Sequence, residues 1–195
     1  MHFVLITGAT GSGKTTVANH FANDAFIIHT DFLQKKAFLR AFPYHHPPHG
    51  NGLPTLTRCK DHLDLPTLLY DCLTHRQRAI RSAKMIIAEG LVLSRKWFED
   101  ALVCAIQNIL AGRTCHVHRY FLFPPAEVML EQIQTRAREK PARQREALIF
   151  PDIPAVQKQR DRHRDTLGPA QDAARWQVHA EASTLHQAIE RLLTP

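Results

Sequence analysis

Close to its start the chain reads ITGATGSGKTT over residues 6–16, and no other stretch restricts the fold as much. Gly8, Ala9, Thr10, Gly11, Ser12, Gly13, Lys14 and Thr15 complete a G-x-x-x-x-G-K-[ST] pattern, with Thr16 directly behind it. Such a pattern carries its chemistry only between a strand and a helix. Both signals are present: Phe3, Val4, Leu5 and Ile6 run apolar ahead of it, and Val17, Ala18 and Phe21 recur at helical spacing behind it. In that setting successive backbone N–H groups turn toward a polyphosphate, and the helix N-terminus adds its partial positive charge. Lys14 is expected to reach the β- and γ-phosphates, and the Thr15 hydroxyl to ligate Mg²⁺. An ordinary glycine-rich turn would explain the glycines but not Lys14 and Thr15 immediately after them.

The 195 residues, 44% hydrophobic and 22% charged, suit one α/β domain spanning 1–195. No apolar run approaches the ~20 residues that cross a bilayer. The first residues read as a core strand rather than a leader, so a cytoplasmic location is expected. Cys59, Cys72, Cys104 and Cys115 are scattered, with no C-x-x-C pair, and read as reduced thiols. The net charge of +7 suits either nucleic acid or a phosphorylated small molecule. Its cations gather between Arg136 and Arg164 without interleaved stacking aromatics, which favours the small molecule and leaves nucleic acid as the lesser partner. Residues 158–164 read as a solvated helix face. Nothing specifies an oligomeric state.

Strand and helix signals alternate, which calls for a parallel sheet covered on both faces. Strands are expected at His2–Thr7, in AFIIHTD ending at Asp31, in AKMIIAEG, in CHVHRYFLF and in ARWQVHAE. Helices are expected over 13–23, 65–82, 101–110, 126–138, 152–166 and 185–193, with a helical turn after Asp31. The segment PYHHPPHGNGLP reads as a loop. Ligands of a parallel sheet bind beyond the carboxyl ends of its strands. That rim is expected to bring together the phosphate loop, Asp31 and Glu89.

Phosphoryl transfer needs positioned phosphates, neutralised charge and a carboxylate to take the acceptor's proton. Asp31 is the candidate base, able also to reach Mg²⁺ through water; the competing reading is a helix N-cap. Glu89, the one acid at the tip of an apolar strand, fits a Walker B carboxylate on the metal's waters. Arg136, Arg138, Lys140, Arg143 and Arg145 would form a basic lid over roughly 136–152 that closes on ATP, with Arg136 and Arg138 foremost. His45, His46 and His49 form one imidazole cluster; Cys115, His116 and His118 form another. Neither reads as a zinc site: a tetrahedral site needs four well-placed ligands, and in the second cluster alternation along the strand sends Cys115 and the two histidines to opposite faces.

The order of phosphate loop, DFLQK, KDHLDLP, IIAEGLVL, RYFLFPPAEVMLEQIQTR and a basic lid resembles the uridine kinase and nicotinamide riboside kinase group of P-loop kinases. The resemblance implies a three-layer P-loop NTPase fold with strand order 2-3-1-4-5. It further implies ATP and Mg²⁺ as cofactors and transfer of the γ-phosphate to the 5′-hydroxyl of a ribonucleoside. Asp31 with Lys35 matches the family's base and its following lysine. Asp61 falls where the family binds ribose hydroxyls, with Asp64 competing for that role. Arg136 and Arg138 match lid arginines, and residues 180–183 match the loop that skirts adenine. Phe32 departs from the family, which often has an acid or serine there. The alternatives are another acceptor (a nucleotide, an antibiotic or a polynucleotide 5′-hydroxyl), or a non-kinase nucleotide-binding ATPase or nucleotide-dependent switch. The N-K-x-D signature of a GTPase is absent.

Overall fold

The computed structural model describes residues 1–44, 53–139, 144–168 and 174–194, apart from the side chains of residues 53 and 54. Its centre is a parallel sheet of β1 (His2–Thr7), β2 (Ala25–His29), β3 (Met85–Glu89), β4 (His116–Leu122) and β5 (Gln177–His179). The strands lie in the spatial order β2-β3-β1-β4-β5. Ten helices of the described residues surround it: α1 (Lys14–His20), α2 (Thr30–Ala41), α3 (Leu53–Cys59), α4 (Leu65–Leu73), α5 (Gln77–Ser82), α6 (Lys96–Leu110), α7 (Ala126–Glu139), α8 (Gln144–Ile149), α9 (Ile153–Asp165) and α10 (Ala182–Leu193). Strands β1 and β3 are flanked by strands and covered on both faces, so both read as unbroken apolar runs.

Alternation along the strands divides the interior into two layers. Phe3, Leu5, Ile28, Ile86 and Ala88 pack against Leu33 of α2, Leu69 of α4, Ile80 of α5 and Leu102 and Ile106 of α6. Val4, Ile6, Ile87 and Leu122 face Val17 and Ala18 of α1 and Leu185 and Ile189 of α10. A third cluster lies beneath the phosphate loop, where Ala9 meets Met129 and Ile133 of α7 and Val156 of α9. One polar group is set into the first layer. Glu99 of α6 is almost fully buried and accepts from Arg119 Nε at 2.6 Å and from Arg175 Nη2 at 3.2 Å.

The expected elements are present; β5 is shorter and α10 begins three residues earlier than expected, and four others change in extent. The helix after the phosphate loop stops at His20, because the chain must turn at Phe21 to enter β2. Where one helical turn was expected after β2, α2 runs twelve residues and buries Leu33, Ala37 and Phe38 along one stripe. Asp31 therefore sits in the first turn of a helix rather than at a strand end, and the N-cap is His29. The stretch expected as one helix over 65–82 is two, α4 and α5, joined by a 3₁₀ turn at Thr74–Arg76. The apolar stripe survives that turn, since Leu69, Leu73 and Ile80 are all buried, which is why periodicity alone reads it as continuous. Helix α6 begins at Lys96, its first turn anchored by the buried Phe98. His116 and His118 lie on a strand as expected, and His118 Nε2 is 2.9 Å from His2 Nδ1. His45, His46, His49, Lys140 and Arg143 fall outside the described residues.

Candidate phosphate-binding cleft

The register pairs Glu89 of β3 with Ile6 of β1 on one side and His29 of β2 on the other, so three strands end level. Side chains lock the ends together. Thr7 Oγ1 donates to the Gly90 carbonyl at 3.0 Å, Thr30 Oγ1 donates to the Glu89 carbonyl at 3.0 Å, and the Gly90 N–H donates to the Ile6 carbonyl at 3.1 Å. Thr7 and Thr30 are fully buried, so these bonds satisfy groups that water cannot reach. Gly90 is required here, because a Cβ would collide with Thr30 Oγ1. Gly11 is required in the loop: its φ is +82°, and a Cβ would come within 2.8 Å of the Met129 carbonyl on α7.

Over these strand ends lies a cleft of about 100 Å³ lined by Thr10, Gly11, Gly13, Lys14, Thr15, Asp31, Glu89, Gly90, Leu91, Arg136 and Glu146. Lys14 is buried, and its Nζ donates to the Ala9 carbonyl at 2.9 Å and to Ser12 Oγ at 3.4 Å. Burial lowers its pKa to about 8, while the charges of Glu89 and Asp31 work in the opposite direction. Thr15 Oγ1 donates to Glu89 Oε2 at 3.2 Å, and His29 Nδ1 lies 2.7 Å from Glu89 Oε1. Glu89, buried at the tip of β3, is thus held from both sides. A hydroxyl beside two carboxylates is a set of hard oxygen donors and suits Mg²⁺, which prefers a few protein oxygens and completes its shell with phosphate and water.

Of the residues expected at this site, Gly8, Ala9 and Ser12 build the loop from within, and Thr16 faces solvent on α1. Arg136 reaches the cleft from α7, whereas Arg138 is exposed outside its lining, as is Lys35 on α2. Asp61 also lies away from the cleft: it is exposed and paired with its neighbour Lys60 at 2.7 Å. Asp64 is a helix cap, accepting from the Thr67 N–H at 3.2 Å at the start of α4. Phe32 turns away from Asp31 toward the outer flank of β2. Residues 180–181 join β5 to α10, beyond the carboxyl edge of the sheet. Three residues, one lining the cleft and two contacting the strand ends below it, had no signal in the sequence. His29 holds Glu89, Glu146 enters from α8, and His163 of α9 sets Nε2 3.2 Å from Thr7 Oγ1.

A comparison with curated proteins finds no match. The family model described as AAA domain matches residues 3–165, which spans the phosphate loop, the sheet through β4 and the helices to α9. The chain belongs to the AAA domain family. Among solved structures, this AAA-domain chain is similar to a putative kinase from Chloroflexus aurantiacus J-10-fl, at 12% identity and a TM-score of 0.50 over 99% of this chain and 98% of that one. It is also similar to the shikimate kinase from Acinetobacter baumannii in complex with shikimate, at 20% identity and a TM-score of 0.43 over 98% and 92% of the two chains. A gluconokinase from Sinorhizobium meliloti 1021 matches at 16% identity and a TM-score of 0.46 over 98% and 91%. The strand order and the family place the chain in the α/β P-loop NTPase fold. Among the described residues no helix is long and apolar enough to cross a membrane.

Proposed function

We propose that the chain is an ATP- and Mg²⁺-dependent phosphotransferase acting on a hydroxyl of a small molecule. The observation that carries this reading is the convergence of Lys14, Thr15, Asp31, Glu89 and Arg136 on one cleft at the carboxyl edge of the sheet. The loop N–H groups and Lys14 bind and orient the phosphates, and Arg136 supports the charge that spreads over the transferred group. Asp31 faces the same cleft and accepts the proton of the attacking hydroxyl, whose oxygen then bonds to the γ-phosphorus as the P–O bond to ADP breaks and ADP leaves. Thr15, Glu89 and Asp31 would hold Mg²⁺, which when bound neutralises charge on the phosphates. His29 and the threonine bonds at the strand ends keep these groups in place before any ligand arrives.

More narrowly, we propose the 5′-hydroxyl of a ribonucleoside, such as nicotinamide riboside or uridine, as the acceptor. The support is the resemblance of DFLQK, IIAEGLVL and the α7 sequence to that kinase group. On this reading Asp61 takes the ribose hydroxyls once the acceptor is bound. The first test is ATP consumption with Mg²⁺ against ribonucleosides, their 2′-deoxy forms, shikimate and gluconate. Turnover on one ribonucleoside, lost in its 2′-deoxy form, is the expected result. Turnover on a different class of alcohol would end the nucleoside assignment and keep the kinase, whereas ATP hydrolysis indifferent to every acceptor would end both. Asp31→Asn should lower kcat by about 100-fold or more while leaving nucleotide affinity within a few-fold. Near-normal turnover in that variant would remove Asp31 as the base.

A further inference from the structure

Strand β2 is an open edge of the sheet, and its outer flank is hollow rather than smooth. Phe26 of β2, Phe32 and Lys36 of α2, Cys72 of α4, and His75 and Arg76 of the turn after it contribute to the wall of a cavity of about 360 Å³. Small-molecule pockets run from roughly 300 to 1,000 Å³, so this one admits a ligand of one or two rings. Its chemistry is one-sided. No carboxylate lines it, and among the described residues neither Lys36 nor Arg76 has a carboxylate partner. Phe32 stands 69% exposed beside Phe26, so the cavity presents aromatic surface to an incoming ligand. Cys72 is buried in this wall; desolvation raises its thiol pKa, the charges of Arg40 and Lys36 lower it, and that of Asp71 raises it.

We propose that this cavity is a second binding site, separate from the phosphate cleft, for a small organic anion. The ligand has a planar apolar body that lies against Phe26 and Phe32, and a carboxylate, sulfonate or phosphate group that faces Lys36 and Arg76. Apolar walls alone would favour a neutral molecule and surface cations alone an inorganic ion; their combination selects a molecule that is both. Arg76 suits such a group, because its planar guanidinium is weakly hydrated and can donate two parallel hydrogen bonds. The site stands close to the proposed chemistry, since His29 lines the cavity and also contacts Glu89.

The experiment uses the full chain without nucleotide, with 2-naphthoate as the anionic probe and naphthylmethanol as its neutral counterpart. Binding is read by calorimetry and by the rate of Cys72 alkylation, with Cys59, Cys104 and Cys115 as internal controls. Naphthoate should bind with one-to-one stoichiometry, about tenfold or more tighter than the alcohol, and should slow alkylation of Cys72 alone. Lys36→Gln with Arg76→Gln should reduce naphthoate affinity to that of the alcohol, and Phe32→Ala should weaken both probes. All three positions are exposed, so these variants should fold. Excess ADP with Mg²⁺ should not displace the probe. The proposal fails if naphthoate does not bind, if the alcohol binds equally well, or if the double variant is unchanged. Displacement by ADP would place the anion in the phosphate cleft and overturn it, as would a dimer through β2 that shuts the probe out. None of these readouts depends on turnover, so failure here is distinct from failure of the kinase reading.

Discussion

His163 of α9 meets the end of β1, 156 positions after the Thr7 hydroxyl that it touches. Since Thr7 Oγ1 gives its proton to the Gly90 carbonyl, it can only accept from the imidazole, which makes His163 Nε2 the donor. Burial, reinforced by the nearby charges of Lys14 and Arg95, lowers its pKa to about 3. The unfolded chain protonates this residue near its ordinary 6.5, so between about pH 3 and 6.5 the unfolded state binds more protons. The contribution of His163 is therefore complete above about 6.5 and is lost as pH falls, with a slope of at most about 1.4 kcal/mol per pH unit. His163→Gln should flatten the acid limb of a urea-denaturation series taken from pH 7 down to 4.5; an unchanged slope would show that His163 does not carry it. The charged run around this residue, KQRDRHRD, reads as a solvated face because six of its eight positions are ionic. Nothing local reveals that one member points inward, since its partner is set by tertiary packing. The meeting of Lys14, Thr15 and Glu89 at one cleft was legible for the opposite reason: their placement follows from immediate neighbours and from a position at a strand tip.

Helix α6 shows what an element adds to its residues. It lies under the sheet on an apolar stripe and carries one buried acid, Glu99, shared by Arg119 of β4 and Arg175 just before β5. The three charges tie the helix to the β4–β5 end of the sheet. Glu99→Ala would leave two guanidiniums beside an apolar layer, and because both are partly exposed the expected loss is about 3 kcal/mol, toward the lower end for a broken buried pair. Denaturant midpoints would measure it, and a loss below about 0.5 kcal/mol would put the triad on a par with surface pairs. The body of α6 is visible in the sequence, but its first turn is not, because Lys96, Trp97 and Glu99 look like loop residues until Phe98 and Glu99 are seen to be buried. Helices α4 and α5 show the reverse error, in which an unbroken stripe conceals a tight turn.

At the scale of the molecule, the two covering layers are unequal. One face of the sheet carries α2, α4, α5 and α6, whereas the face behind the phosphate loop depends chiefly on α1 and α10. Leu185 and Ile189 of α10 are fully buried there, so Leu185→Ala should cost roughly 2–5 kcal/mol, measurable as a lower Tm. A change within about 0.5 kcal/mol would mean that the site had collapsed around the smaller side chain. The sheet's composition and its alternation with helices are plain in the sequence, but the order of its strands follows only from resemblance, because pattern names strands and not their neighbours.

That order has a consequence for a chain still being made. Strands β1 and β2 never touch; β3 lies between them, and it is β3 that hydrogen-bonds to both. A nascent polypeptide that has emerged only as far as residue 80 already carries the whole phosphate loop and Asp31, yet has no Glu89, no Gly90 and nothing to hold its two strand ends side by side. Loss of loop-closure entropy over some tens of residues must be met before the rim exists. Nucleotide capture by ribosome-bound chains of increasing length should therefore switch on abruptly after the insertion of β3, making ligand binding a report on completed topology rather than on the motif that binds.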